Sequence, residues 1–293
     1  MEDGAAEYTF SRMDEHRARW VVPRIYRPPR DLSRYLDACF ITESAPARSP
    51  HERVRRMPEG ATYIVFLRGK RTLAGTRDEA TLVVGGAHDC VHDIPTWDYE
   101  LQCGLRVQPG AARLVLGTSA AVVRNCIVPL RELWGPQADV LLERLIASSS
   151  DADWLRLLCD AVREVLMREP EGGLLAVRFA RAVRSAPGDA RLSALARDFG
   201  VSVRTLERRF QEALGLGPKQ YQRIARMAKV LTRLNDEGGD WSRIASACGY
   251  YDQSHLSDDC HGVLGRPPER FLRDITNVGS LEIGLVFEKP RDG

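Results

Sequence analysis

Three side chains in the segment GGAHDCVHD could bind a metal ion. His88, Cys90 and His92 lie two residues apart, and on a β-strand that spacing would place all three on one face. Imidazole and thiolate ligands suit zinc, copper or a softer metal. The alternative is a polar loop after the strand TLVVGG in which the three residues coincide by chance. We take the loop as the main interpretation and expect no metal or cofactor, and we keep a metal- or thiol-responsive sensor as an alternative function.

The sequence carries none of the common catalytic signatures. It has no Gly-rich phosphate loop, no Gly-x-Ser-x-Gly elbow and no His-Glu-x-x-His motif. Cys90 next to His92 could in principle be an activated thiol, but a cysteine near a histidine is far more often structural. We therefore expect that the protein is not an enzyme.

Composition and length limit the classes of protein to which the chain can belong. The 293 residues exceed the usual size of one domain, and the chain is 44% hydrophobic and 28% charged. No apolar run approaches the roughly 18 residues needed to cross a bilayer, and the polar start MEDGAAEYTF is not a secretory signal. The seven cysteines are scattered without a Cys-x-x-Cys pair, which argues against a disulfide framework or a zinc ribbon. We expect a two-domain cytoplasmic protein with no membrane partner.

The elements that must position any site change type along the chain. ATYIVFL, RTLAG, TLVVGG and YELQCGLRV, between residues 61 and 107, are typical of short strands in a small β-barrel or sandwich. ADVLLERLIA and DADWLRLLCDAVREVLMRE then have helical periodicity, and the second is predicted to begin at an Asp cap. The segment EPEGG at 169–173 is the best linker. These patterns predict an α+β fold, with a β-rich first domain that ends in helices and an all-α second domain.

The second domain contains an internal repeat. LSALARDFG (192–200) matches WSRIASACG (241–249), and LERRFQEALGLGPKQY (206–221) matches LSDDCHGVLGRPPERF (256–271). Each copy has a helix, a glycine turn and a longer helix, which predicts two helix-turn-helix units. In the first copy Leu206, Phe210 and Leu214 form a buried stripe. The polar residues left facing outward are Arg204, Thr205, Glu207, Arg208 and Gln211.

Two long stretches resemble the DNA-binding domain of the AraC/XylS family of bacterial transcription regulators. They are LARDFGVSVRTLERRFQEALGLGPKQYQRIARMAKVL and IASACGYYDQSHLSDDCHGVLGRPPERF, and the resemblance covers roughly Leu174 to Arg273. In that family two helix-turn-helix units are joined by a long helix and usually follow a sensing domain. The upstream MPEGATYIVFLRG and GLRVQPGAARLVLGTSAAVVRNCIVPLRELWG look like an uncharacterised N-terminal domain of one subgroup, which brings no known ligand.

The resemblance implies roles for individual side chains. Arg204, Glu207 and Arg208 would face base edges in a major groove, where arginine suits guanine and a carboxylate can accept from cytosine. Ser202 as helix cap, Thr205 and Arg209 would meet phosphates. The matching positions of the second unit are Gln253, Ser254, His255, Ser257 and Asp258.

Charge divides the two units sharply. Residues 188–234 carry ten Lys and Arg against four Asp and Glu, a net charge of +6, whereas residues 235–275 carry four against eight, a net charge of −4. The repeat places Asp258 opposite Arg208 and Asp259 opposite Arg209. Since affinity for DNA requires cations at the phosphates, the first unit should dominate it. The second unit would pack alongside, read cytosine weakly, or face a protein partner such as polymerase or another subunit.

These expectations divide the chain as follows. We expect a flexible N-terminus (1–20), a regulatory or dimerisation domain (21–170), an AraC-type DNA-binding domain (174–275) with units at 192–221 and 241–271, and a tail (276–293). The function implied is sequence-specific transcription regulation, with promoter DNA as partner and with a small-molecule effector, a second copy of the chain and RNA polymerase as further candidate partners. A second alternative is a protein-interaction module whose acidic second unit no longer binds DNA.

Overall fold

The computed structural model describes residues 24–43, 53–56, 58–69, 80–95, 99–168, 174–185, 191–237, 241–267, 270 and 281–282. Its main sheet has six antiparallel strands in the order β1-β2-β7-β4-β5-β8. Their bounds are β1 Arg24–Tyr26, β2 Leu36–Glu43, β4 Thr62–Gly69, β5 Ala80–Gly85, β7 Tyr99–Val107 and β8 Ile127–Pro129. A second sheet has β3 (Arg53–Arg56) between β6 (His92–Pro95), to which it is antiparallel, and β9 (Leu281–Glu282), to which it is parallel.

Successive side chains along each strand point to opposite faces of the main sheet, and both faces are buried. In β4, Ile64 and Phe66 belong to the large core, whereas Tyr63, Val65 and Leu67 belong to a smaller cluster on the other face. The register of the central strands extends the large-core face across the sheet, because Leu105 of β7 pairs with both Cys39 and Ile64. The sheet is therefore the structural centre of the first domain.

Helices cover the large-core face. They are α1 Ala112–Leu116, a 3₁₀ helix at Ala120–Val123, α2 Arg131–Trp134, α3 Pro136–Ala147 and α4 Asp151–Leu166. The predicted Asp cap of α4 is wrong by one position. Ser150 is the cap, and its hydroxyl accepts a hydrogen bond from the Asp153 N–H at 3.1 Å, because its short side chain folds back over the free N–H groups of the first turn. The Trp154 indole N–H donates to the Leu145 carbonyl at 3.0 Å and ties α4 to the end of α3.

The second domain is entirely helical where the structure describes it. Its helices are α5 Leu175–Ser185, α6 Leu192–Asp198, α7 Val203–Leu214, α8 Pro218–Glu237, α9 Trp241–Ala247 and α10 Gln253–Leu264. Gly200 and Gly249 make the turns between the paired short and long helices with φ of 65° and 78°. Positive φ is the conformation in which glycine carries no steric cost, and its occurrence at equivalent positions confirms the two helix-turn-helix units.

The α+β fold class is confirmed, with an antiparallel-sheet domain carrying helices followed by a helical domain. The predicted strand at 71–75, the linker at 169–173 and the terminus at 1–20 lie outside the described residues, and the domain boundaries stay predictions. Within the tail, Leu281–Glu282 returns to the first domain as β9. No helix in the described ranges is both long and apolar enough to span a bilayer.

Candidate nucleic-acid interface

Helix α7 turns a basic face to solvent. Leu206, Phe210 and Leu214 are buried beneath it as the spacing predicts. The side chains predicted to meet bases and phosphates, Arg204, Glu207, Arg208 and Arg209, are exposed. Within this set Arg208 forms an i,i+4 ion pair with Glu212 at 3.0 Å, an exposed contact that a phosphate or a base edge could replace at little cost.

The N-terminus of α7 is held by its own hydroxyls. The Ser202 Oγ accepts a hydrogen bond from the Thr205 N–H at 3.1 Å and lies 2.8 Å from the Thr205 hydroxyl. This is the predicted cap, and it fixes the first turn at the helix end where the remaining free N–H groups and the helix dipole favour an anion. Thr205 is half-buried, and the predicted outward residue Gln211 is half-buried too because its amide donates to the Gly215 carbonyl at 2.8 Å.

An aromatic cluster supports α7 from below. The Phe210 ring packs edge-on against Phe179 of α5 at 5.2 Å and against Tyr221 of α8 at 5.4 Å between ring centroids. Phe179 in turn packs against Phe199 at 5.6 Å. Rings in this geometry gain electrostatic attraction in addition to buried area. The basic face of α7 thus lies on a rigid support.

Helix α10 presents a different face. Its cap is Asp252, whose carboxylate accepts from the His255 N–H at 2.7 Å. The residues predicted to match the base-reading positions, Gln253, Ser254, His255 and Asp258, are exposed, and Ser257 is half-buried. The His255 ring packs edge-on against Tyr250 at 5.2 Å. Polar groups are available on α10, but Arg or Lys is absent from the whole of Gln253–Leu264.

Asp259 does not belong to that exposed face. Its side chain is only 10% exposed and accepts a hydrogen bond from the Arg223 Nε at 2.9 Å, with Arg226 at 3.9 Å. Arg226 also lies over the Tyr250 ring, 4.9 Å from its centroid. Gly262 leaves room for this contact, because a Cβ there would overlap the Arg223 guanidinium. The repeat places Asp259 opposite the exposed Arg209, but helix α8 covers that position only in the second unit.

The comparisons with known proteins agree with this geometry. A helix-turn-helix domain family matches residues 195–274. The transcriptional activators RhaS of Pectobacterium atrosepticum and Pectobacterium carotovorum are each 29% identical over 75 residues, which is 26% of this chain and 27% of each relative. The matched region therefore spans about a quarter of these relatives' own length.

Two solved structures match the chain at low sequence identity. The C-terminal domain of AraT from Geobacillus stearothermophilus is 19% identical with a TM-score of 0.32, covering 40% of this chain and 93% of that one. ToxT from Vibrio cholerae is 10% identical with a TM-score of 0.38, covering 75% and 92%.

The C-terminal domain is a helix-turn-helix domain of the AraC type. Its two units are α6–α7 and α9–α10, and helix α8 joins them. This confirms the family resemblance of the sequence, while the contacts of individual side chains with DNA remain predictions.

The candidate metal ligands lie next to the AraC-type domain, and they do not share one strand face as the metal alternative required. His88 is buried and exchanges two backbone hydrogen bonds with Glu59, Cys90 is exposed in the following bend, and His92 begins β6. The bend at residues 89–90 breaks the strand alternation on which the metal alternative depended. Across the described ranges, no group of three or more His, Cys, Asp or Glu residues is arranged to hold a metal ion.

The residues Ala87–Val91, here called the wedge, contact both units instead. Ala87 packs in the core of the first unit and Val91 packs against the core of the second. Between them, Asp89 accepts a hydrogen bond at 2.6 Å from Gln220 of α8. Asp89 also pairs with Arg124 and accepts from the Asn125 amide at 2.8 Å. Burial raises the pKa of Asp89, but the bonds from Arg124 and Asn125 outweigh it and hold that pKa below its ordinary value.

Two glycine contacts add to the boundary between the domains. A Cβ at Gly60 would overlap the Tyr221 ring, and one at Gly215, at the end of α7, would lie 2.9 Å from the Ala120 carbonyl oxygen. Sequence reasoning missed this boundary, because the two contacts join residues 161 and 95 positions apart and no local pattern marks them.

A buried arginine lies at the same boundary. Arg106 of β7 is 5% exposed and pairs with Asp37 and Glu59, and its Nε lies 3.2 Å from the Tyr63 hydroxyl. Arg184 of α5 approaches the same Asp37 carboxylate at 3.8 Å. The Asp37 carboxylate of the first domain thus faces guanidinium groups from both domains. A buried charge such as that of Arg106 is stable only when it is paired with opposite charge.

Proposed function

We propose that this protein is a sequence-specific DNA-binding transcription regulator that contacts promoter DNA through its AraC-type domain. The observation that carries the proposal is the outward basic face of α7, held over a buried aromatic cluster at the second helix of a helix-turn-helix unit. A helix in that position enters the major groove in such domains.

The roles assigned on α7 follow from the chemistry of its exposed groups. Arg208 and Arg204 can each bind the O6 and N7 of a guanine, and Glu207 can accept from the exocyclic amine of a cytosine. Arg209 and the capped N-terminus with Ser202 and Thr205 can bind phosphates and fix the register of the helix in the groove. Each good base contact is worth about 1–3 kcal/mol of discrimination.

The second unit contributes less to affinity in this proposal. Its exposed residues offer hydrogen bonds from Gln253, Ser254 and His255, while Asp258 can accept only from a base such as cytosine. The internal pairing of Asp259 removes one negative charge from the surface, and it also engages two of the ten cations counted for the first unit. The cations that remain exposed on the first unit include all three arginines of α7.

The N-terminal domain has a regulatory role in this proposal, either binding a small-molecule effector or forming a homodimer. Its wedge contacts both helix-turn-helix units, so a change in the first domain can alter the spacing of the two units on DNA. A second copy of the chain would add a second DNA contact and raise affinity through effective concentration. RNA polymerase is the candidate partner for the acidic side of the second unit.

The test is binding of the full-length protein to genomic DNA fragments across a salt series. Bound fragments are first selected at low salt, and affinity for one of them is then measured by fluorescence anisotropy. We expect log K to fall linearly with log salt, with a slope of about 0.9 for each phosphate neutralised. Arg208→Ala should weaken binding by about 1–3 kcal/mol and relax one base position. Asp258→Ala, its match in the repeat, should leave binding unchanged or improve it.

Two results would contradict this proposal. Binding that is lost on the Asp258→Ala change would reject the division between the units. A full-length protein that retains no duplex fragment even in dilute buffer would favour the protein-interaction module, for which the acidic second unit and the 94% exposed Tyr251 beside it are the specific observations.

A further inference from the structure

A cavity of about 660 Å³ lies between strand β1 and helix α4 in the first domain. One side of its wall is the end of β1 and the residues that follow it. The other side is one face of α4, with lining residues at positions 151, 152, 155, 156, 159 and 163. This spacing is that of a single helix face, so most of the length of α4 borders the cavity. Its volume lies within the range of roughly 300–1,000 Å³ that is typical of small-molecule sites.

The inner part of the cavity is apolar. Cys39 of β2 and Cys159 of α4 are 2% and 3% exposed and are the two buried residues of the wall. Free cysteines at such positions act as small hydrophobic groups. Tyr26, Pro29 and Leu155 are half-buried and lie nearer the surface. The apolar body of a ligand would cover the parts of these side chains that water reaches, which favours binding.

The outer part of the cavity carries three arginines, namely Arg27, Arg156 and Arg163. The Arg163 guanidinium lies 2.7 Å from Asp31 and 2.6 Å from Asp160. Arg156 lies 3.0 Å from Asp153. Two of the three positive charges are therefore already compensated by carboxylates of the protein.

Arg27 differs from the other two. It is exposed, and it forms no ion pair or hydrogen bond with any residue in the part of the chain that the structure describes. The carboxylate of the wall, Asp151, accepts hydrogen bonds from Arg24 at 2.9 Å and from the Tyr26 hydroxyl at 3.3 Å, so its negative charge is compensated. The cavity therefore presents one uncompensated positive charge on its outer side.

We propose that this cavity binds a small amphipathic monoanion, with one carboxylate at Arg27 and an apolar body against the inner wall. The planar guanidinium of arginine can donate to both oxygens of a carboxylate at once. A single negative charge fits the site, because Arg156 and Arg163 already have carboxylate partners. The Tyr26 ring and the Leu155 side chain provide the surface on which the apolar body lies.

The site is connected to the DNA-binding helix through two packed helices. Helix α4 packs on α1, and α1 contacts α7 of the AraC-type domain. A ligand held between β1 and α4 that binds one position of α4 more tightly than another shifts the population toward that position. The monoanion is then the effector of the regulatory domain. This effector role rests on the proposed function, whereas binding of the ligand at Arg27 does not.

Calorimetric titration of the full-length protein tests the site. The probes are ω-phenylalkanoates from phenylacetate to 8-phenyloctanoate, each compared with its primary amide, which has the same apolar body and no charge. We expect at least one carboxylate of the series to bind with one site per chain. Its amide should bind at least about tenfold more weakly, because the charged hydrogen bonds to arginine are lost. The absence of saturable binding up to about 5 mM, or equal affinity of acid and amide, overturns the proposal.

Three variants locate the bound ligand. Arg27→Gln should weaken binding of the carboxylate at least about tenfold and leave binding of the amide unchanged. Arg30→Gln is the matched control, because Arg30 is also exposed and lies outside the cavity wall. Ala152→Trp places an indole in the cavity from an exposed position of α4 and should abolish binding of acid and amide alike. Melting temperatures check that the variants fold. Equal binding by Arg27→Gln and Arg30→Gln, or full binding by a folded Ala152→Trp, overturns the assignment.

The effector role is measured separately, by fluorescence anisotropy with a selected genomic fragment in the presence and absence of saturating ligand. We expect the affinity for DNA to change by at least about fivefold, and DNA should change the affinity for the ligand by the same factor. An unchanged affinity while the ligand is bound overturns the effector role. A protein that binds the ligand through Arg27 and retains no duplex fragment contradicts the proposed function alone, because calorimetry decides the site without DNA.

Discussion

The two helix-turn-helix units share a backbone frame and differ in what holds it. Both have a positive-φ glycine in the turn and another after the long helix, at Gly215 and Gly265, with φ of 75° and 73°. At one equivalent core position the first unit has Phe210 and the second has Cys260, and both are buried. Phe210 joins a ring cluster, whereas the Cys260 sulfur contacts Met227 of α8 at 3.7 Å.

The polar positions of the long helices differ even more. The first unit leaves its arginines outward and obtains its support from aromatic packing and from the N-terminal domain at Gly60 and Ala120. The second unit turns Asp259 inward to helix α8. The comparison teaches that an internal repeat specifies the frame, while neighbouring elements decide which side chains are free to meet a ligand. The predictions below test each part of this contrast.

The largest effect is expected at the equivalent core positions. Phe210→Ala removes a ring that touches both Phe179 and Tyr221, so it should lower the free energy of unfolding by about 4 kcal/mol. Cys260→Ala removes one sulfur atom and should cost only about 1 kcal/mol. Urea unfolding gives both values. Hydrogen–deuterium exchange should locate the first loss in α7 and the second in α10, and equal losses in the two variants would refute the contrast between the cores.

Asp259→Ala should lower the free energy of unfolding by about 2–3 kcal/mol, because it leaves the guanidinium of the mostly buried Arg226 without its carboxylate. The value is at the low end for a buried pair because Arg223 is 43% exposed and can turn to water. Asp258→Ala, one residue away and exposed, is the matched control and should change stability by less than about 0.5 kcal/mol. Hydrogen–deuterium exchange of the α9 and α10 amides measures the loss of stability. If Asp259→Ala and Asp258→Ala exchange alike, the inward pairing of Asp259 is wrong.

Much of the fold was predictable from the sequence because it follows from local patterns. Strand alternation located β7 at Tyr99–Val107, and the Ser202 cap with the stripe of Leu206 and Phe210 located α7 and its outward face. The inward turn of Asp259 was not predictable, because its position lies at the edge of the buried stripe of α10 and only the packing of α8 decides whether that edge is covered.

The boundary between the domains was also beyond sequence reasoning. Asp89 and Gln220 are 131 positions apart, and a polar segment after a strand has the same pattern whether it meets water or another domain. The spacing of His88 and Cys90 was chemically suggestive only on a continuous strand, and the bend after His88 removes that condition. Contacts of this kind depend on tertiary packing, which local periodicity does not encode.

The support from the N-terminal domain can be weakened at Gly60. The Cβ added in Gly60→Ala would displace the Tyr221 ring. We expect this overpacking to lower the free energy of unfolding by about 2 kcal/mol. Gly217→Ala is a control, because a Cβ there meets no atom within 4 Å and the backbone has no positive φ. Limited proteolysis and amide exchange of α8 report the separation of the domains. Stronger protection of α8 in Gly60→Ala would show that Tyr221 does not depend on this contact.

The smallest effect is a pH dependence at the wedge. The pKa of Asp89 is below its ordinary value in the folded protein, so its contribution to stability is complete above about pH 3.9, the value for an unperturbed Asp, and is lost as pH falls through the folded pKa. Asp89→Asn keeps the shape of the side chain but removes the negative charge that faces Arg124. It should lower the free energy of unfolding by about 1 kcal/mol at neutral pH. The measurement is the melting temperature of both proteins from pH 7 to pH 3. The difference between them should stay constant down to about pH 4 and then shrink, because only the unsubstituted protein has this carboxylate to protonate. A difference that begins to shrink near pH 6 would mean that Asp89 is not stabilised in its charged form, and the contact with Gln220 of α8 would then have to hold without the carboxylate charge.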